Sequence, residues 1–139
     1  SGQEFGEDAP RTIDFQPLHW AKLLQKSYTD HNKLAHRLIK LRCAHPALRC
    51  DHIEFYVDDF VHEQLIRWKR WADPGVQDYA TVALNFGAVE RQTTLQVPWT
   101  GLWYDCVADR PYQATCDTIA ITLAPWRGVL LTPCRQQTP

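Results

Sequence analysis

The stretch Thr81-Val82-Ala83-Leu84-Asn85-Phe86-Gly87 sets Val82, Leu84 and Phe86 in alternation with Thr81, Ala83 and Asn85, and Gly87 closes it. A period of two is the mark of a β-strand, because successive side chains point to opposite faces of a sheet. The same signature recurs on both sides. Upstream, Ile53, Phe55 and Val57 alternate with Glu54, Tyr56 and Asp58, and a longer run over residues 60–71 carries Leu65, Ile66, Trp68 and Trp71. Downstream, Leu95 and Val97 lead to Pro98, and residues 102–107 follow. Ile119, Ile121 and Leu123 then alternate with Thr118, Ala120 and Thr122, before a last run at residues 129–131. Asp73-Pro74-Gly75 and Thr100-Gly101 have turn chemistry. Roughly six to eight short strands, spaced by about 8–12 residues, predict an antiparallel β-sandwich or barrel.

Before residue 50 the character is different. Residues 1–19 carry Gly2, Gly6, Pro10 and Pro17 among scattered acids, which is loop chemistry. Asp30 reads as an N-cap. Leu34, Leu38 and Leu41 recur at helical spacing, with Ala35 and Ile39 widening the stripe, and Lys40 and Arg42 suit the negative end of a helix dipole. His45 precedes Pro46, which stops a helix. The spacing predicts a helix over residues 30–44, so the chain reads as mainly β, an antiparallel sandwich preceded by a loop and one α-helix.

Composition removes several classes of function. The 139 residues suffice for one domain with an appendage and are too few for a complete (β/α)8 barrel. Fifteen basic and sixteen acidic residues leave a net charge of −1, which gives no basic footprint for nucleic acid. No apolar run approaches the ~20 residues of a membrane span. Five cysteines, an odd number without a CxxC pair, argue for reduced thiols in the cytoplasm and against a zinc site. Met is absent even at position 1, so the chain reads as a piece of a longer protein.

Few constellations carry chemistry. Asp58 and Asp59, with Glu54 and Glu63, form the densest acidic group, but neighbours on a regular strand point to opposite faces, and a solvated turn explains them. His31 and His36 diverge by roughly 140° around a helix and cannot share a metal. His19, His52 and His62 have no near partner, and His45 reads as packing at a helix end. No catalytic residue, metal site or cofactor is expected. Sugars stack on exposed aromatic faces, which makes Trp99 and Trp103, flanking a turn, candidate glycan contacts. Core filling is the plainer use of such a residue. The stripe Leu34, Leu38 and Leu41, if left wet, is expected to pair with a second copy in a two-fold homodimer.

Residues 2–23, GQEFGEDAPRTIDFQPLHWAKL, resemble the stretch after the eighth barrel strand in the α-amylase family of glycoside hydrolases, with Gly2, Glu4 and Gly6 as its "G-x-E-x-G" phrase. LIKLRCAHPALR at residues 38–49 is similar to that family's last barrel helix. VALNF at 82–86, GLWYD at 101–105, and LAP at 123–125 with VLL at 129–131 are similar to phrases of its C-terminal β-domain, in the family's order. Leu18-His19-Trp20 is similar to an "L-D-W" phrase of glucan-branching enzymes, with His in place of Asp. The resemblance implies that residues 1–50 are the last loop and helix of a truncated barrel and residues 51–139 a C-terminal sandwich. It implies Gln3 and Glu4 as substrate-binding residues, α-1,4-glucans as substrate of the parent, and the parent's catalytic barrel as partner. The two carboxylates of a retaining mechanism, ~5–5.5 Å apart, match nothing here and belong to earlier barrel strands. A stand-alone carbohydrate-binding or protein-interaction sandwich is the alternative.

Overall fold

A computed structural model describes residues 20–56 and 60–134. The chain forms two compact units, Ser1–Arg42 and Cys43–Pro139.

In the first unit a 3-10 turn, Trp20–Leu24, leads into helix α1, Lys26–Ala44. The helix starts a full turn before residue 30, and Asp30 is not its cap. Asp30 lies inside α1, where its carboxylate accepts a hydrogen bond from Lys26 Nζ one turn earlier. The first turn, Lys26-Ser27-Tyr28, has no apolar period to announce it, and the preceding 3-10 turn delivers the chain already curled. No side chain of α1 is buried. Leu34 and Leu38 are each 40% exposed.

The second unit is a β-sandwich. Strands β1 (Ile53–Tyr56), β2 (Leu65–Trp71), β3 (Tyr79–Asn85), β8 (Gly128–Pro133), β5 (Gly101–Asp105) and β6 (Arg110–Ala114) form one six-stranded sheet in that order. Strands β4 (Arg91–Gln96) and β7 (Thr118–Leu123) form a two-stranded sheet, and every pairing is antiparallel. The core lies between them. Leu65, Ala83, Trp103, Val129 and Leu131 come from the large sheet, and Leu95, Ile119, Ile121 and Leu123 from the small one.

Several elements depart from the expected pattern. The run over residues 60–71 is two elements: a four-residue helix α2, Phe60–Glu63, and then β2. Gln64, with φ of 55°, joins them, and its carbonyl accepts from Phe86 N at 2.8 Å. The run over residues 102–107 ends at Asp105, whose buried Oδ1 accepts from Val107 N at 2.9 Å and Ala108 N at 3.2 Å and turns the chain. Strand β6 has no alternation to reveal it and contains Pro111. It is tolerated because β6 is an edge strand, where a missing N–H breaks no ladder. Val57, Asp58 and Asp59 lie outside the described residues.

The faces of the large sheet hold the main surprise. The ladder pairs Trp71 with Tyr79, Lys69 with Thr81, Arg67 with Ala83 and Leu65 with Asn85, and Leu65, Tyr79 and Ala83 belong to the core. These residues therefore face inward. Ile66, Trp68, Val82 and Leu84 stand on the outer face, and through β1 so do Ile53 and Phe55. The apolar half of the 81–87 alternation thus points away from the sandwich interior.

Asn85 explains why this inward position takes an amide. Its Nδ2 donates to the carbonyls of Val89 at 2.8 Å and of Leu123 and Ala124 at 3.1 Å, and its Oδ1 accepts from Gly87 N at 2.8 Å. One buried side chain thereby ties the end of β3 to the end of β7. Four polar neighbours satisfy it, which is the condition for burying an amide.

Candidate functional site

The small sheet has two strands against the six of its partner, so it cannot cover the whole inner face. Where it stops, the inner face of β1 and β2 turns polar: Glu54 and Tyr56 on β1, Arg67 and Lys69 on β2. Their partners across the seam come from β4. Arg67 Nη1 donates to the Thr94 carbonyl at 2.9 Å, Lys69 Nζ to Gln96 Oε1 at 3.1 Å, and Tyr56 Oη to the same Oε1 at 2.7 Å. Lys69 Nζ also lies 3.1 Å from Glu54 Oε2. The Arg67 guanidinium and Lys69 ammonium both lie over the Tyr56 ring, at 5.2 and 5.5 Å from its centroid.

This mesh floors an open trough of about 410 Å3, lined by Glu54, Lys69, Trp71, Tyr79, Gln96, Val97, Pro98 and Asp117. Trp71 is half-buried, packs on the core, and stacks on His52 with 5.7 Å between ring centroids and 9° between planes. His52 is in turn fixed by Asp73, Nε2 to Oδ1 at 2.9 Å. Burial alone would lower the Lys69 pKa, but hydrogen bonds to Tyr56 and Glu54 outweigh it, and the ammonium is held above its ordinary value. Burial pushes the Tyr79 phenol well up, with Tyr56 and Glu54 adding to the effect. The one ammonium of the lining, Lys69, is tied to the Glu54 carboxylate, and the Tyr56 hydroxyl and the Gln96 amide hold one another in place.

The residues singled out from the sequence are placed unevenly. Gln3 and Glu4 lie outside the described residues, as do Asp59 and His19. Trp103 is fully buried in the core and offers a ligand no surface, while Trp99 is 38% exposed. The two rings pack at 5.5 Å, and Tyr79 meets Trp103 edge-on at 5.9 Å. His45 does more than pack. Buried, it sets Nδ1 2.9 Å from Asp78 Oδ1, while Asp78 Oδ2 accepts from Ala47 N at 3.0 Å, fastening the turn Pro46–Leu48 to the start of β3. Among the described residues, no three His, Cys, Asp or Glu side chains group closely enough to hold a metal ion. None of the five cysteines is joined in a disulfide. Among the described residues, no helix is long and apolar enough to cross a membrane.

Sequence reasoning missed the trough. Its signal was present in the strand period: Glu54 and Tyr56 on one strand, and Arg67 and Lys69 on the next, occupy the same phase as Leu65 and Trp71. Charges in phase with core residues mark the place where a core runs out.

No family model matches the chain, and no curated protein does. Among solved structures it is similar to AmyP in complex with maltose, at 22% identity and a TM-score of 0.64, over 78% of this chain and 21% of that one. It is similar to an Anoxybacillus α-amylase at 17% identity and a TM-score of 0.60, over 74% of this chain and 22% of that one. The α-amylase GTA of Geobacillus thermoleovorans, complexed with acarbose, matches at 15% identity and a TM-score of 0.63, over 91% and 26%. The likeness is one of fold, and the chain spans about a fifth to a quarter of the length of these structures.

Proposed function

We propose that this chain is the C-terminal part of an α-amylase-family enzyme, with residues 1–50 as the last barrel loop and helix and residues 51–139 as an accessory β-sandwich. Its role is to stabilise and shield a catalytic barrel that cleaves or transfers α-1,4-linked glucose units through two carboxylates carried elsewhere. The observation that carries this reading is the asymmetry of coverage: 91% of this chain, but 26% of the Geobacillus amylase, shares one fold. The outer face of the large sheet adds support. Ile53 and Phe55, 38% and 53% exposed, adjoin the half-buried Ile66, Trp68 and Leu84. A β-domain that closes its core on one side and keeps an apolar face on the other is suited to rest on a second body.

In the isolated chain the stripe Leu34, Leu38 and Leu41 is the counterpart on α1, and we propose that it pairs two copies there. A cytoplasmic setting accords with five cysteines outside any disulfide. The alternative of a stand-alone carbohydrate-binding module draws support from the Trp71 trough alone. The test of the leading reading is to express the full reading frame that contains this chain. It is expected to act on soluble starch and to lose thermal stability when residues 51–139 are deleted, and the 139-residue chain alone is expected to release no reducing sugar. A reading frame without paired barrel carboxylates, or starch hydrolysis by the chain alone, overturns the proposal.

A further inference from the structure

We infer that the trough between β1, β2 and β4 is a binding site for a neutral, polyhydroxylated ring, a short run of sugar units. A pyranose presents an apolar C–H face and a rim of hydroxyls, and the trough presents the complement of both. Trp71 and Pro98 supply apolar surface, while Glu54, Lys69, Gln96 and Asp117 supply donors and acceptors around it. Its volume of about 410 Å3 falls in the range of small-ligand sites.

Charge narrows the ligand class. The lining sets Lys69 against Glu54 and Asp117, and the Lys69 ammonium is already engaged by Glu54 and Gln96. An anionic ligand such as a phosphate meets two carboxylates and a cation that is spoken for, whereas hydroxyl groups share hydrogen bonds with such a mesh in either sense. The site is also preorganised. Tyr56 and Lys69 hold the Gln96 amide, and Asp73 holds His52, which backs the Trp71 ring. Groups fixed before binding lose little freedom on binding, so a shallow, open trough can still bind, weakly.

The site rests on its own chemistry; only the choice of an α-linked probe rests on the proposed function. Titration of the full chain with maltoheptaose, followed by NMR, is expected to move the Trp71 indole and Gln96 side-chain amide signals saturably, with a Kd of about 1 mM. The indole of Trp126, 68% exposed on the turn before β8, is the internal control for unspecific stacking and is expected not to move. Trp71 packs on the core, so the test variant is Gln96→Ala at an exposed position, expected to weaken binding at least about fivefold with the circular dichroism spectrum unchanged. Absence of shifts for both maltoheptaose and cellohexaose at about 20 mM overturns the inference. Equal movement of Trp126, or displacement of the glucan by inorganic phosphate, also overturns it. Binding of cellohexaose with no response to maltoheptaose upholds the trough and counts against the α-glucan reading.

Discussion

In β7 the large apolar side chains Ile119, Ile121 and Leu123 all face the core, whereas in β3 the core is faced by Tyr79, Thr81, Ala83 and Asn85, and Val82 and Leu84 are turned away from it. The two strands lie on opposite walls of one sandwich. β7 belongs to a two-stranded sheet whose other side carries Thr118, Ala120 and Thr122, a strand with one dry face and one wet one. β3 is central in a six-stranded sheet and is buried nearly throughout, on both faces. Past Tyr79, the small Thr81 and Ala83 on its inner face leave room for Trp103, Leu95 and Ile121 to interdigitate, as close packing requires. On its outer face Val82 is buried within this chain and Leu84 is half-buried. The small sheet closes the domain on one side of the large sheet, and on our proposal a second body closes the other.

The comparison is broken most severely from the inside. Trp103→Ala removes the largest fully buried side chain, and the aromatic group with Tyr79 and Trp99 loses its centre. The expected loss is about 3–5 kcal/mol, read as a fall in the urea midpoint with the slope retained. This is much of the stability of a domain this size.

Asp78→Ala tests the fastening between the turn Pro46–Leu48 and the large sheet. The substitution strands His45 Nδ1 and the Ala47 N–H in a buried place. The expected cost is about 1–3 kcal/mol in urea unfolding, and an unchanged midpoint would mean that water replaces the carboxylate freely.

Tyr79 gives the inner face a pH signature. Its phenol is raised above the ordinary value of 10.0 when folded, so the unfolded chain ionises first. The resulting stability is complete below pH ~10 and is lost as pH rises from there toward the folded value. Thermal melts between about pH 9 and 12 should therefore fall more steeply for the native chain than for Tyr79→Phe. Parallel curves would remove Tyr79 as a cause. The smallest effect belongs to the outer face: Phe55→Ser in the isolated chain is expected to shift stability by no more than about 0.5 kcal/mol.

The strand content was legible because alternation is a local property, and β1, β2, β3, β4, β5, β7 and β8 each overlap an alternating or apolar run. Which half of an alternation faces the core is not local. Ile53 and Phe55 look like core residues beside Glu54 and Tyr56, and only the register against β2 and β3 reverses that reading. Strand β6 escaped because Arg110-Pro111-Tyr112-Gln113-Ala114 has edge-strand chemistry, which differs little from loop chemistry. The trough escaped because it depends on the unequal widths of two sheets, a property of topology. Trp103 fills the core, and the ring that lines the trough is Trp71 on β2, not either of the pair at the turn.

We propose that the outer face of β1, β2 and β3 meets the rest of a longer protein. The direct measurement is the thermal midpoint of Phe55→Asp in two settings, the 139-residue chain and the full reading frame that contains it. In the isolated chain the substitution is expected to leave the midpoint within about 2 °C of the native value, because Phe55 is half in water already. In the longer protein it buries an unpaired charge against an apolar surface, and a fall of about 5 °C or more is expected. Equal midpoint changes in the two settings would contradict the claim.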